Sequence, residues 1–109
     1  MKFAIFFTLK SETIAAAMER PSDRAAVVGG LLESVGGSLD AYYWMFGKHD
    51  GFVIADVADS TSAAAISLAV SSTGAFAHLE THELIPADQI QDVLDRAKSA
   101  RGQYTAPGT

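Results

Sequence analysis

The feature that most constrains the fold is a polar, Gly-containing turn near the middle of the chain. The turn, Gly47-Lys48-His49-Asp50-Gly51, separates the aromatic run 42–46 from the apolar run 52–55. Two such runs joined by a short Gly-containing turn predict an antiparallel hairpin, with strands at about 38–46 and 51–57. The same turn holds an adjacent imidazole and carboxylate, His49 and Asp50, so it is also the first place to look for chemistry.

A strand and a helix precede this hairpin. Residues 3–9 are apolar on both alternating faces, which indicates a central strand covered on both sides. An Ala-rich segment at 10–20 predicts one or two helical turns. A full helix is then predicted to begin at Pro21, because proline suits the first helical position, and to end at Gly36-Gly37. Its interior Gly29 and Gly30 indicate close packing of the helix against the sheet.

A helix and a strand also follow the hairpin. Asp59 or Ser60 can cap the second helix, which Gly74 ends, and residues 76–85 predict a fourth strand. Pro86 stops that strand. The segment 88–91 resembles a capping box that opens a last helix, and tail 102–109 is expected to be flexible. Three apolar stripes at helical spacing support these helices: Ala25, Val28, Leu31, Leu32 and Val35; Ala64, Ile66, Leu68, Ala69 and Val70; Ile90, Val93, Leu94 and Ala97.

The order of these elements predicts an α+β fold of ferredoxin-like βαββαβ type, followed by an extra C-terminal helix. Such a fold has a four-stranded antiparallel sheet with both main helices on one face. Right-handed crossovers place the first and third strands in the middle of the sheet. We therefore expect a single ferredoxin-like domain at 1–101 and a tail at 102–109.

The face of the predicted sheet that carries no helices has many apolar and aromatic side chains, which would be exposed to water in a single chain. The first strand is apolar on both sides, and the second presents Tyr43 and Met45 on one face and Tyr42, Trp44 and Phe46 on the other. So much uncovered aromatic surface exceeds the usual patch on a monomer. We expect a second copy to cover it, giving a homodimer or higher homo-oligomer with a space enclosed between sheets. The alternative is that the C-terminal helix folds over this face.

Composition excludes several classes of partner. The net charge is −5, and the eight Lys and Arg residues are scattered, so nucleic acid is not an expected partner. Without cysteine there is no disulfide and no thiolate nucleophile, which fits a cytoplasmic protein. No segment approaches the run of about 20 apolar residues that spans a bilayer, so no membrane association is expected.

The hairpin and its surroundings resemble the GYD-domain family, small bacterial and archaeal proteins named for a Gly-Tyr-Asp motif. The resemblance rests on these residues, from the first helix to the fourth strand: Pro21, Arg24, Gly36, Gly37, Tyr43, Gly47, Asp50, Asp56, Asp59, Gly74, Glu80 and Thr81. It implies a dimeric α+β barrel, and it implies no particular activity. The sequence departs from the family in two places, because His49 stands where the naming Tyr would be and Ala58 where a Pro is usual.

His49 and Asp50 are candidate catalytic residues. A carboxylate near an imidazole favours the imidazolium and fixes the tautomer, which is how a general acid or base is positioned. Tyr43 or Tyr42 could then stabilise an oxyanion. Alternatively, Asp50 binds hairpin backbone N–H groups as a turn residue and His49 is solvated.

A second constellation lies on the fourth strand, where His78, Glu80 and His82 share one face. Two imidazoles and a carboxylate are a common metal ligand set, but residues two apart on a strand stand about 7 Å apart and converge poorly on one ion. Two of them plus His49 could bind a metal; otherwise they are polar positions on an edge strand. We expect no metal and, without a nucleotide-binding motif, no cofactor.

Aromatic residues supply the candidate ligand-binding set. Tyr42 and Trp44, with His78 and Glu80, could line a pocket for a small aromatic ligand, or the rings could fill a subunit interface. The carboxylates Glu80, Asp56 and Asp50 could also pair. The sequence thus favours a homo-oligomeric ligand-binding or assembly module. The alternative is a cofactor-independent enzyme, like a monooxygenase or isomerase, acting on a small aromatic or carbonyl compound through His49 and Asp50.

Overall fold

A computed structural model describes all 109 residues and contains four strands and four α-helices. The strands are β1 (Lys2–Leu9), β2 (Ser38–Trp44), β3 (Gly51–Asp56) and β4 (Phe76–Glu83). The helices are α1 (Ser11–Glu19), α2 (Arg24–Glu33), α3 (Ser60–Ser71) and α4 (Ile90–Arg101), the last preceded by a 3-10 turn at Ala87–Gln89.

The strands form one sheet in the order β2-β3-β1-β4, with every neighbouring pair antiparallel. This confirms the predicted α+β, ferredoxin-like arrangement with β1 and β3 in the centre. The register also fixes the two faces of the sheet. Phe7 lies opposite Gly51 and Leu79 on the face that carries the helices, whereas Phe6 lies opposite Phe52 and Glu80 on the other.

The core lies between the sheet and helices α2 and α3. Leu32 of α2, 1% exposed, and Ile66 of α3 pack against Phe3 and Ala55 at one end of the sheet. A smaller cluster of Ile5, Phe7 and Val53 continues along the same face toward Tyr42, Phe76 and Leu79. Burial of these side chains at about 25 cal/mol per Å² is what holds the two helices on this face.

The predicted start of the second helix at Pro21 is wrong, whereas the Ala-rich segment at 10–20 does form a short helix. The Ala-rich segment is a nine-residue helix, α1, and α2 begins at Arg24, three residues after the proline. Proline disfavours helical dihedrals in the residue before it, so α1 stops at Arg20, whose φ and ψ are −133° and 75°. The α2 start is set instead by Asp23, whose side chain accepts a hydrogen bond from the backbone N–H of Ala26 at 3.1 Å.

The explanation of the helix glycines is also wrong. A Cβ built on Gly29 or Gly30 meets no atom within 4 Å, so neither glycine permits a close approach to the sheet. The helix contacts the sheet through Leu32 and the half-buried Val28 and Leu31 instead.

Three other boundaries differ from the prediction. Strand β2 ends at Trp44, leaving Phe46 fully exposed, and β4 ends at Glu83 rather than at residue 85. No side chain caps α4, so the predicted capping box does not form; Gln91 donates to Asp95 within the helix at 3.0 Å. By contrast, Asp59 caps α3 as predicted, accepting from the Ser62 N–H at 2.8 Å.

Helix α4 projects away from the sheet and buries none of its residues. Apart from the 3-10 turn before it, no element makes more than marginal contact with α4, and the chain extends 57 Å along its longest axis. The alternative in which this helix covers the helix-free face of the sheet is therefore wrong. None of the helices combines the length and apolar character needed to cross a bilayer.

Candidate functional site

The hairpin turn is tied to the end of β1 by Asp50. The Oδ2 atom of Asp50 accepts a hydrogen bond from the Leu9 backbone N–H at 2.7 Å, and its own N–H donates to the Phe7 carbonyl at 2.8 Å. Its carbonyl accepts from the Met45 N–H at 2.9 Å. Asp50 thus joins β1, β2 and β3 at one end of the sheet, and it is not in contact with the His49 ring.

We predict that Asp50→Ala destabilises the fold by about 2 kcal/mol, because a backbone N–H loses a charged acceptor. Asp50→Asn retains an acceptor oxygen and should cost less than about 1 kcal/mol. Urea unfolding of the three proteins measures both differences. Equal stability of wild type and Asp50→Ala would show that water replaces the carboxylate without loss.

The turn bends at Gly47, which has a φ of +120° that side-chain-bearing residues rarely adopt. This bend returns His49 over the helix-free face, where its side chain is only 16% exposed. Its Nδ1 lies 3.4 Å from the Thr8 hydroxyl, which also donates to the Lys48 carbonyl at 2.9 Å. His49 is therefore held by β1 and is not solvated.

Three imidazoles surround one carboxylate on the helix-free face, and we call His49, His78, Glu80 and His82 the histidine cluster. Glu80 Oε1 lies 2.8 Å from His78 Nε2 and 3.9 Å from His49 Nε2, and Glu80 Oε2 lies 3.2 Å from His82 Nε2. The His49 and His78 rings are nearly parallel, with centroids 6.2 Å apart. Each carboxylate oxygen of Glu80 thus contacts one of the two histidines on its own strand, His78 or His82.

Hydrogen bonding from His78, and then from His82, lowers the pKa of Glu80 from an ordinary 4.5 to about 2. Because the folded-state pKa is below the unfolded one, this carboxylate contributes stability above pH 4.5 that is lost as the pH falls toward about 2. Its side chain is 31% exposed, so solvent screens the contribution.

We predict that Glu80→Gln lowers the melting temperature most clearly above about pH 4.5, where the Glu80 carboxylate is charged in the folded and unfolded states and keeps its contacts with His78 and His82. The difference from wild type should shrink as the pH falls and vanish near about pH 2. Thermal unfolding followed by circular dichroism across this range measures it. Glu19→Gln, which removes an exposed carboxylate without an ion pair, is the control. A difference in melting temperature between Glu80→Gln and wild type that stays the same at every pH would contradict the expected dependence of stability on ionisation of Glu80.

The cluster does not form a metal-binding geometry. No three His, Asp or Glu side chains are arranged to hold a metal ion. His78 and His82 point toward opposite oxygens of Glu80, so the carboxylate separates the two imidazoles.

Aromatic rings continue the helix-free face beside the histidine cluster. The Phe6 ring lies 5.5 Å from His49 and 5.4 Å from Phe52, and Phe52 stacks on Tyr43 at 5.5 Å. Tyr43 and His49 thus occupy one face, with two phenylalanine rings between them. The tyrosine ring is 59% exposed.

On the opposite face a cavity of about 760 Å³ lies between the sheet and helices α1, α2 and α3, and we call it the helix-side cavity. Its walls are mainly apolar, with Phe7, Trp44 and Phe76 supplying edge-on ring contacts. Tyr42 lines it, and burial raises the pKa of the Tyr42 hydroxyl. Two arginines, Arg20 and Arg24, are its only charged lining residues.

The sequence-derived site residues therefore fall into three separate places. His49, Tyr43, His78 and Glu80 share the helix-free face, while Tyr42 and Trp44 line the helix-side cavity and Asp50 holds the backbone. The three candidate carboxylates do not pair: Glu80 faces imidazoles, Asp50 accepts from Leu9, and Asp56 pairs with Lys2 at 2.9 Å and with the N-terminus at 3.2 Å.

Sequence reasoning missed Thr8 as a partner of His49 and missed Glu80 as its nearest carboxylate. The neighbours of His49 depend on how the hairpin turn packs against β1 in three dimensions. The local sequence pattern around the turn contains no information about this packing. It also missed Arg20 and the position of Arg24 at the cavity. The sequence feature that could have indicated both arginines is their position on either side of Pro21, in the connection between α1 and α2.

A comparison of the sequence with protein families identifies a family for this chain. The family model described as GYD domain matches residues 3–94, which include all of the sheet except Lys2, and helices α1 to α3. No curated protein matches the sequence. Gly47 bends the hairpin turn, Asp50 ties the turn to β1, and His49 lies between them. Because the family model matches most of its length, the chain belongs to the GYD domain family.

Proposed function

We propose that this GYD protein is a homodimeric module that binds a small apolar molecule. Two copies would pair through their helix-free faces, and each would hold its ligand in the helix-side cavity. The observation that carries the proposal is the cavity itself. At about 760 Å³ it falls within the range of about 300 to 1,000 Å³ typical of small-molecule sites.

The chemistry of the cavity walls supports an aromatic or other compact apolar ligand. Ring edges of Trp44 and Phe76 approach Phe7 nearly perpendicularly, at 90° and 85°. Aromatic side chains arranged this way offer ring faces and edges to a planar guest. Tyr42 adds a hydroxyl and Trp44 an indole N–H, and these are the polar side-chain groups of the sheet residues that line the cavity.

The helix-free face supports pairing of two copies. Phe6 and Phe52 lie on the two central strands with Ile54 nearby, and each of the three is half-buried in a single chain. Tyr43 extends the same surface toward the β2 edge. Aromatic residues are enriched at subunit interfaces, and a flat apolar patch on two central strands can meet its twofold-related copy.

The cavity can be tested with 4-tert-butylbenzamide, a neutral aromatic probe. Trp44 is the only tryptophan and lines the cavity, so its fluorescence should report binding. We predict that Ala16→Phe, which adds a ring to the cavity wall, weakens binding of the probe by at least about tenfold, since the ring takes the space of the guest.

The matched control is Ala15→Phe. Ala15 is the preceding residue of α1, is exposed and does not line the cavity, so the same substitution there carries the same helix-propensity cost. Binding that is unchanged in Ala16→Phe, or absent from the wild-type protein, would remove the ligand-binding part of the proposal.

A cofactor-independent enzyme is the second candidate, and the environment of His49 favours it. This imidazole is mostly buried, has the Thr8 hydroxyl on one nitrogen, and has Glu80 as the carboxylate nearest the other. Glu80 thus takes the place first considered for Asp50, and Tyr43 is the tyrosine on the same face. In a dimer this group of residues would lie in the space between two sheets.

Oxygen uptake or isomer formation with a panel of phenols and small carbonyl compounds tests the enzyme candidate. Turnover should fall at least about a hundredfold in His49→Gln if the imidazole is a general base. Turnover retained by that variant, or absent from the wild-type protein across the panel, argues for the binding module alone.

A further inference from the structure

The two arginines at the helix-side cavity indicate the chemical class of its ligand. Arg20 follows the last residue of α1, and Arg24 is the first residue of α2, so the short connection around Pro21 places both beside one cavity. No aspartate or glutamate lines the cavity. A mainly apolar cavity thus carries positive charge beside the connection between α1 and α2, and no negative charge.

Neither arginine is neutralised within the chain. The ion pairs of the structure involve the N-terminus, Lys2, Arg96 and the three histidines, and none involves Arg20 or Arg24. The adjacent carboxylate, Asp23, is turned to the backbone N–H of Ala26 as the α2 cap. The guanidinium groups are therefore free to pair with an anion that enters the cavity.

A polar residue on the sheet side lines the same cavity as the arginines. Tyr42 and Arg24 are both among its lining residues, and the positive charge of Arg24 opposes the rise that burial causes in the pKa of Tyr42. The first residues of α2 also present the positive end of its helix dipole there. A phenol hydroxyl and a guanidinium together can donate to one carboxylate.

We propose that the ligand is an amphipathic organic acid, with its carboxylate held by Arg24 and Arg20 and its aromatic or branched apolar body among Phe7, Trp44 and Phe76. This inference rests on the proposed function, because it names the ligand class of the same cavity. The Tyr42 hydroxyl donates the remaining hydrogen bond to the carboxylate. Arginine suits this role because its planar fork binds both carboxylate oxygens.

The test compares 4-tert-butylbenzoate with 4-tert-butylbenzamide, which have the same apolar body and differ in charge. Titration of the full chain, followed by Trp44 fluorescence, should give binding of the benzoate at least about tenfold tighter than of the amide. Arg24→Met should weaken binding of the benzoate much more than binding of the amide, and so remove most of this preference. The double variant Arg20→Met, Arg24→Met should remove the preference completely.

Arg101→Met is the control, because Arg101 is an unpaired cation on α4 outside this cavity, and it should retain the wild-type preference. Equal binding of benzoate and amide by the wild type overturns the organic-acid inference and leaves the proposed function standing. A preference that survives in the double variant also overturns it. If neither compound binds, the proposed function fails together with the inference.

Discussion

Gly51→Ala is expected to destabilise the protein by about 3 kcal/mol. A Cβ at this position would lie 2.5 Å from Cζ of Phe7 and 2.6 Å from the carbonyl oxygen of Tyr43. The carbonyl belongs to the hairpin backbone and cannot move without breaking the pairing of β2 with β3. The Phe7 ring is buried among other rings, so it has little room to turn aside. The free energy of unfolding measured in urea checks this prediction.

Gly29→Ala is the matched control for Gly51→Ala. Gly29 is inside α2, and a Cβ there meets no atom within 4 Å. Alanine favours the helix over glycine by about 1 kcal/mol, so this variant should be more stable than wild type. A comparable loss of stability in both variants would contradict the distinction between a crowded strand glycine and an open helix glycine.

The order of strands and helices follows from the sequence because stretches of strand-like or helix-like apolar pattern are separated by Gly- or Pro-containing breaks. The order of elements and the central positions of β1 and β3 come from periodicity and crossover handedness, and both agree with the structure. The helix starts near Pro21 and residue 88 were harder to predict, since a proline or an acidic residue near a boundary does not show which neighbour caps the helix. Asp23, one residue from the cavity arginine, is the actual cap of α2.

The candidate sites were only partly predictable. Alternation along β4 correctly placed His78, Glu80 and His82 on one face, because this periodicity is local. Association of His49 with Glu80 was not predictable, since it depends on a hairpin end reaching across β1. The same alternation places Tyr42 and Tyr43 on opposite faces of β2. The sequence does not show which of these faces the helices cover, so it does not show which tyrosine lines the cavity.

Phe52→Glu is expected to convert the proposed dimer into monomers. Phe52 lies on central strand β3 between the rings of Phe6 and Tyr43, so its replacement places a carboxylate in the middle of the helix-free face. Pairing two copies would then bury two like charges without partners. Because removing such charges from water costs several kcal/mol, the dissociation constant should rise by more than about a hundredfold.

Sedimentation equilibrium at micromolar concentration distinguishes the outcomes, with Leu68→Glu as the control. Leu68 is 71% exposed on α3, on the helix side of the sheet, so the same charge there should leave association unchanged. Because α4 does not cover the helix-free face, no segment of the same chain can shield Phe6 and Phe52 from water. A wild-type protein that sediments as a monomer would therefore leave these rings half-exposed, and pairing through this face would be wrong. A Phe52→Glu variant that remains dimeric would instead place the interface on another surface, for which the exposed apolar residues of α4 are the nearest alternative.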